Sequence, residues 1–150
     1  MKGSGINMNP SQKIGLTAVS LFAVSHLLPA YDTLPGFSCF QMCWRTMLEL
    51  DNAWFYYSGF VFSNIMFSIL VVALFVSKTG WRVRSIASFI ILLHITSWSV
   101  LHLWGGLSDI KIGYYVWLAA YALLFIAHLF KDTNNPMEPT AGAAVAHLVR

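Results

Sequence analysis

Four long stretches of the chain contain no Asp, Glu, Lys or Arg, and each is long enough to cross a lipid bilayer as a helix. They cover residues 14–30, 54–76, 85–104 and 113–130. A helix rises 1.5 Å per residue, so about 20 apolar residues span the hydrocarbon layer, which is about 30 Å thick. Buried strands are shorter, at about 4–8 residues, and lipid offers no partner to their backbone amides. The pattern therefore predicts an all-α integral membrane protein, a four-helix (tetraspan) bundle.

The first stretch has a second interpretation, as the apolar part of a cleavable signal peptide. Basic residues precede it, as they do in such peptides. A cleavage site after Ala30 would place Leu28 where a small side chain is required, with Pro29 beside it. We therefore expect the stretch to be retained as the first span, so that residues 1–131 form one transmembrane domain.

The composition agrees with a membrane protein and excludes several other classes. Apolar residues make up 57 % of the 150 residues, and Asp, Glu, Lys and Arg together only 10 %, whereas about a quarter of a soluble domain is charged. A chain with so little charge cannot cover a water-facing surface, and its mean hydropathy of +0.64 excludes disorder. The net charge of +3 is explained by basic residues at a membrane surface, so we expect no nucleic-acid partner.

The basic residues are distributed unequally between the two ends of the predicted spans. Six lie at one end, namely Lys2, Lys13, Lys78, Arg82, Arg84 and Lys131, and two at the other, namely Arg45 and Lys111. Loops rich in Lys and Arg stay in the cytoplasm, so both termini are predicted to be cytoplasmic, with the protein in the inner (plasma) membrane. Residues 132–150 contain two prolines and a run of Ala and Gly, which predicts a flexible cytoplasmic tail.

The outward connection between the first and second spans has the pattern of a short amphipathic helix. Ser38 with Gln41 fits a capping box at a helix start. Beyond them one helical face is apolar, and it consists of Phe40, Cys43, Trp44, Met47 and Leu50. Such a helix lies in the membrane interface or on the mouth of the bundle. A structured loop anchored by its aromatic residues is the alternative.

Cys39 and Cys43, the only cysteines of the chain, both lie in this outer connection. The arrangement resembles that of the thiol-oxidising tetraspan proteins of the disulfide-bond pathway, which carry a cysteine pair in their first outer loop, and the resemblance implies a redox relay. The spacing here is Cys-x-x-x-Cys rather than Cys-x-x-Cys, and the second outer loop contains no cysteine. On a helix, parallel side chains one turn apart approach poorly for a disulfide. Zinc or copper binding and ordinary interface cysteines are the other interpretations.

Polar residues inside the predicted spans need partners, because hydrocarbon does not solvate them. Asn64 and His94 lie near the middle of their spans, and we expect a hydrogen bond between the two helices there. A midplane site for a proton, an ion or a polar headgroup is the alternative. His26 and His102 lie at nearly equal depth near the outer surface. Paired histidines across a bundle hold the iron of b-type haem, so haem b is a candidate cofactor, although the main expectation is that no cofactor is bound.

Small residues indicate where helices approach closely. Gly59 and Ser63 form a small-x-x-x-small pair on the second span. Such a pair lets two backbones come together, either within one chain or between copies. We therefore predict a helix-packing contact at these two residues.

The function predicted from these observations is that of a non-enzymatic integral membrane protein. The chain contains no Gly-x-Ser-x-Gly, no His-Glu-x-x-His and no phosphate-binding glycine loop. We expect an accessory subunit of a larger complex or a self-assembling bundle, whose partners are the lipid bilayer and further copies or another membrane protein. The alternatives are an oligomeric channel or transporter, whose polar pore assembly would have to create, and a membrane redox protein that uses the histidines or the cysteine pair.

Overall fold

Five α-helices and a two-stranded antiparallel hairpin make up the described part of the chain in a computed structural model, which describes residues 8–50, 54–76, 80–105 and 109–130. In chain order the elements are α1 (Pro10–Leu27), β1 (Pro29–Tyr31), β2 (Leu34–Pro35), α2 (Gly36–Glu49), α3 (Trp54–Phe75), α4 (Trp81–Leu103) and α5 (Ile112–Leu129). Helices hold 83 % of the described residues, which confirms the predicted helical class. The predicted tail, residues 132–150, lies outside the described residues.

Helices α1 and α5 run antiparallel and pack along each other. Near the start of α1, the Ser11 hydroxyl donates to the carbonyl oxygen of Ala127 at 2.8 Å. At the other end, α5 begins so close to α1 that a Cβ atom on Gly113 would lie 2.6 Å from the carbonyl oxygen of Pro29. The start of α1 and the end of α5 therefore lie at the same end of the bundle.

Helices α3 and α4 form a second antiparallel pair, which packs against the first. Near the start of α3, Gly59 lies against His94 from the middle of α4. Near the end of α3, the carbonyl oxygen of Ala73 accepts a hydrogen bond of 3.0 Å from Arg84 Nη1 at the start of α4. The core between the two pairs consists of aromatic and aliphatic residues: Ala18, Phe67, Leu70, Leu74, Ile91, Ile95, Tyr114, Trp117, Ala120, Tyr121, Leu124 and Ala127.

The hairpin and α2 fold over the end of the bundle where α1 ends and α5 begins, and we call β1, β2 and α2 the cap. The amide of Gly36 donates to the carbonyl oxygen of Leu28 at 3.0 Å, and the amide of Lys111 donates to that of Ala30 at 3.0 Å. These backbone bonds attach the cap to the end of α1 and to the start of α5. The sequence pattern did not predict the hairpin.

Local sequence determines where α1 begins and ends. Asn9 caps its start, because the Gln12 amide donates to Asn9 Oδ1 at 2.8 Å and the Asn9 amide donates to Gln12 Oε1 at 3.2 Å. At the other end Leu28 is extended, with φ −85° and ψ 151°. Proline disfavours a helical conformation of the residue before it. Pro29 therefore keeps Leu28 out of the helix, and α1 ends at Leu27.

The structure contains the helix predicted between residues 30 and 54, but α2 begins earlier than expected. It starts at Gly36 without a side-chain capping bond, so the predicted capping box of Ser38 and Gln41 is wrong. The residues of α2 that are buried against the bundle are Gly36, Cys39 and Cys43. Of the predicted apolar face, Cys43 packs on the bundle, whereas Trp44 and Leu50 are 42 % and 70 % exposed.

In the described part of the chain, three helices are long and apolar enough to cross a membrane: Tyr57–Phe75 of α3, Trp81–Val100 of α4 and Ile112–Leu129 of α5. These helices are compatible with a membrane protein. Their outward faces carry large apolar side chains that are more than half exposed, among them Phe62, Ile69, Val72, Val83, Ile86, Ile90 and Leu93. Helix α1, the counterpart of the predicted span 14–30, is less apolar because its first turn contains Ser11, Gln12 and Lys13.

Candidate functional site

A cavity of about 130 Å³ lies between the cap and the mouth of the bundle. Its lining residues come from the cap, from α3, α4 and α5, and from the segment before α5: Ala30, Tyr31, Cys39, Met42, Cys43, Tyr57, Phe60, Trp98, Ile110 and Tyr114. The lining is mostly apolar and aromatic, with two thiols and one thioether. Sites for small ligands and cofactors are concave and predominantly apolar in this way, so this cavity is the candidate functional site.

The cap lies this close to α1 because residue 36 is glycine. A Cβ atom on Gly36 would lie 2.6 Å from the carbonyl oxygen of Ser25 and 2.9 Å from the Cα atom of His26. Both neighbours are backbone atoms, which cannot rotate away as the end of a side chain can. Glycine at this position therefore allows the close approach of α2 to the end of α1.

Cys39 and Cys43 are free thiols that line the cavity from α2. They are 6 % and 4 % exposed, and the Cys39 thiol donates to the carbonyl oxygen of Leu34 at 3.7 Å. Burial raises the pKa of Cys39. Burial and, to a smaller extent, the neighbouring Cys39 raise the pKa of Cys43 to about 12. Since the thiolate is the reactive form of cysteine, burial lowers the reactivity of both thiols, and the redox relay stays a prediction.

Asn64 is bound to Trp117 in the structure, and not to His94. Trp117 Nε1 donates to Asn64 Oδ1 at 3.2 Å, and Asn64 Nδ2 donates to the carbonyl oxygen of Phe60 at 2.8 Å. Both ends of the amide are therefore satisfied inside the bundle, where Asn64 is 6 % exposed. The predicted bond between Asn64 and His94 does not form, because Asn64 points into the bundle whereas His94 is exposed on its surface.

His94 lies on the outer surface of the bundle, beside Gly59. A Cβ atom on Gly59 would lie 2.7 Å from His94 Nε2, so the imidazole occupies space that any larger side chain at residue 59 would fill. Ser63, one turn further along α3, is 1 % exposed, and its hydroxyl donates to the carbonyl oxygen of Gly59 at 2.8 Å. Of the predicted small-residue pair, Gly59 lies at the contact between α3 and α4.

His26 lies below the cap and interacts with its own helix. Its Nδ1 atom lies 2.8 Å from the carbonyl oxygen of Phe22, and its ring packs on that of Phe22 with centroids 4.6 Å apart. The side chain of His102 lies outside the described residues, so the haem b hypothesis stays a prediction. Among the described residues, no group of three or more His, Cys, Asp or Glu side chains could hold a metal ion.

Arg84 and His128 form a buried polar cluster at the end of the bundle opposite the cap, and the sequence analysis missed it. They are 3 % and 0 % exposed. The Ser85 hydroxyl donates to the carbonyl oxygen of His128 at 2.7 Å, and His128 Nδ1 lies 3.2 Å from the Ser88 hydroxyl. The sequence analysis counted Arg84 among the basic residues outside the predicted spans, whereas α4 begins three residues before it and buries it. In the sequence, the feature that could have indicated this cluster is the pair Ser85 and Ser88, which lie three residues apart on one face of α4.

The cap cavity, the outward-facing His94 and the buried polar cluster are the features of the described residues that bear on function. No family model matches the chain, and no curated protein or solved structure is significantly similar to it.

Proposed function

We propose that the chain is a four-span integral membrane protein of the inner (plasma) membrane, with both termini in the cytoplasm, and that it works as a non-enzymatic subunit of a larger helical assembly. The other members of the assembly are further copies of the chain or another membrane protein. One observation carries the proposal: His94, an ionisable residue, is exposed near the middle of α4, a helix apolar enough to cross a membrane.

The proposal requires α1 to cross the membrane together with the other three helices. Helix α1 lies antiparallel to α5, with close contacts at both ends. A helix packed in this way covers the same depth as its neighbour, and its 18 residues correspond to about 27 Å. The hydroxyls of Thr17 and Ser20 donate to backbone carbonyl oxygens of α1 itself, which lowers the cost of exposing them to lipid.

The depth of His94 makes its exposure significant. Its backbone lies nine residues before the end of α4 at Leu103, or about 13.5 Å. Its imidazole reaches Gly59, five residues into α3, so the ring lies inside the hydrocarbon layer, nearer the end at which α3 begins. Its neighbour Leu93 is 55 % exposed, and Ile90, one turn away, is 59 % exposed. Ionisable residues in membrane spans almost always face a bundle interior or a water-filled cavity. In a single chain the His94 imidazole would face the lipid, whereas a helix of a partner chain would cover it and supply a hydrogen-bond partner.

The surface around His94 also has the composition of a helix–helix contact. Gly59 lies beside the imidazole, and Ser97, one turn further along α4, is exposed. Small and hydroxyl-bearing residues are enriched where membrane helices meet, because they allow close approach and hydrogen bonds between helices. The lipid-facing surface of α4 around His94 is therefore suited to contact with a helix of another chain.

The assembly is tested by the mass of the particle extracted from its native membrane. We expect the full chain, purified in a mild detergent and measured by light scattering, to be larger than one chain. We expect His94→Leu to release single chains, His94→Gln to retain the assembly through its amide, and Ile90→Leu, a change on the same helix surface, to have no effect. An assembly that His94→Leu leaves intact, or a wild-type protein that is extracted alone as a single chain, would contradict the proposal.

The four-span topology is tested separately. We expect reporters fused to the N-terminus and to the C-terminus to be active on the cytoplasmic side of the membrane. A reporter inserted at Glu49, at the end of α2, is expected to lie on the opposite side. Termini on opposite sides would mean that the number of spans is odd, and α1 would then lie outside the bilayer.

A further inference from the structure

We propose that the cap cavity contains a binding site for a soft monovalent metal ion, Cu(I), whose ligands are the sulfur atoms of Cys39, Met42 and Cys43. This inference rests on the cavity alone and does not depend on how the chain assembles in the membrane. All three residues lie on α2 and line the same cavity.

The spacing of the three residues brings their sulfur atoms to one side of α2. Residues three and four apart on a helix are neighbours on its surface, and Met42 and Cys43 follow Cys39 by three and four positions. Two metal ligands four residues apart on a helix are also the arrangement that holds zinc in His-x-x-x-His motifs. The same spacing is unsuitable for a disulfide, and both cysteines are free in the structure. The thiols are therefore placed for a shared ion rather than for a bond to each other.

The donor set selects the ion. Thiolate and thioether ligands favour Cu(I) over harder ions. Among the described residues that line the cavity, none is Asp, Glu or His, so the nitrogen or carboxylate ligands that would complete a four-coordinate zinc site are not supplied. Met42 is 40 % exposed, so its thioether lies at the rim, where an ion would enter.

Binding is a ligand exchange without electron transfer. The S–H bonds of Cys39 and Cys43 break, two Cu–S bonds form, and the two protons pass to the solvent. The thioether of Met42 donates a lone pair as a third ligand, and copper stays in the +1 state. Because cysteine binds a metal ion as the thiolate, each bound ion has to release the protons that the two thiols carry.

The test is an anaerobic titration of the full chain in detergent with Cu(I), in competition with a coloured Cu(I) chelator. We expect one ion per chain and the release of about two protons per ion. Cys39→Ser and Cys43→Ser are each expected to weaken binding by about 100-fold or more, and Met42→Leu by about tenfold. Met47→Leu is the matched control, because Met47 lies on the same helix but does not line the cavity, and it is expected to bind Cu(I) as the wild type does.

A second measurement keeps the proposal testable if a cysteine variant does not fold. In the wild-type protein, Cu(I) is expected to protect both cysteines from alkylation, and Zn²⁺ at the same concentration is expected to leave them unprotected. The proposal is overturned if Cu(I) leaves the alkylation rate unchanged, if Zn²⁺ protects equally well, or if a folded Cys43→Ser variant retains the wild-type affinity for Cu(I).

Discussion

The indole of Trp117 on α5 donates a hydrogen bond of 3.2 Å to the side-chain oxygen of Asn64 on α3, 53 residues earlier in the chain. Both residues are buried, at 4 % and 6 % exposed. Trp117 also stacks on Phe60 with centroids 4.9 Å apart, and the carbonyl oxygen of Phe60 accepts the second hydrogen bond of Asn64. These three residues form one polar and aromatic contact that joins α3 to α5.

Removing the indole donor is expected to destabilise the bundle. Trp117→Phe keeps the aromatic ring but leaves Asn64 Oδ1 buried without a donor, so the free energy of unfolding is expected to fall by about 1–3 kcal/mol. In a double-mutant cycle with Asn64→Leu, the coupling energy is expected to be about 0.6–1.7 kcal/mol, the range for hydrogen bonds between membrane helices. Helix content followed by circular dichroism during SDS unfolding in bicelles measures both quantities.

The control for this cycle is Trp44→Phe, because Trp44 is 42 % exposed on the cap. Its effect is expected to stay within about 0.5 kcal/mol. If the effects of Trp117→Phe and Asn64→Leu simply add, the hydrogen bond does not contribute to the contact between α3 and α5.

Adding one methyl group at residue 36 is expected to displace the cap. The new Cβ atom would lie 2.6 Å from a backbone oxygen of α1, and overpacking of this kind costs about 1–3 kcal/mol. Gly80→Ala is the matched control, since its Cβ atom would meet nothing within 4 Å. Thermal denaturation should show a lower midpoint for Gly36→Ala only, together with faster alkylation of Cys39 and Cys43, the two cysteines that the cap buries against the bundle. Equal midpoints for the two variants would show that the cap is not held by this contact.

Arg84 is expected to stabilise the end of the bundle opposite the cap. Its guanidinium donates to the carbonyl oxygen of Ala73 near the C-terminus of α3, and hydrogen bonds from charged groups contribute about 1.5–3 kcal/mol. Arg84→Met is expected to lower the free energy of unfolding by about that amount. Arg82→Met, at an exposed position two residues earlier, is expected to change it by less than about 0.5 kcal/mol. Two similar values in SDS unfolding would refute a structural role for Arg84.

The reactivity of Cys43 is expected to rise with pH well beyond the range of an ordinary thiol. Its pKa is raised from 9.0 to about 12. In the folded protein the fraction of thiolate therefore keeps rising at pH values at which a thiol in the unfolded chain is already fully ionised. In a Cys39→Ser variant, which removes only the smaller of the two causes, the rate of alkylation by iodoacetamide is expected to go on rising well above pH 9. In SDS the rate should level off above about pH 9. By the same shift, the contribution of the protonated Cys43 thiol to the free energy of unfolding is fully present below about pH 9.0 and is lost as the pH rises towards 12.

A rate that levels off near pH 9 in the folded protein would show that the Cys43 thiol is not shielded by the cap. The comparison with the unfolded chain controls for the intrinsic pH dependence of the reagent. Tyr31, Tyr57 and Tyr114 also line the cavity, but iodoacetamide modifies cysteine in preference to tyrosine, and mass spectrometry of the labelled chain identifies the site.

The helices could be located from the sequence because their signal is local. A run of about 20 residues without charge is visible residue by residue, and α3 and α5 begin and end within one residue of the predicted spans 54–76 and 113–130. The prediction was less accurate for α4, which begins four residues before residue 85, because a buried Arg84 is accommodated inside the helix. Charge alone does not show whether a basic residue at a helix end lies outside the bundle or donates to a neighbouring helix.

The cavity could be predicted only in part. The sequence analysis predicted that Cys39 and Cys43 lie on a short helix between residues 30 and 54, and in the structure both lie on α2. The hairpin was missed because its five residues, of which three lie in β1 and two in β2, are too few to show alternation. That hairpin and the close approach at Gly36 give the cap its position, and both depend on residues from distant parts of the chain.

The sequence by itself determined which segments are helices and which residues are too polar for lipid, because length and hydropathy are properties of each segment alone. Only the tertiary structure decided which polar residues meet. Each residue turns a helix by about 100°, so a small error in the relative rotation of two helices changes every partner. Asn64 was therefore expected beside His94 and is found beside Trp117, while His94 is exposed on the outer surface of α4.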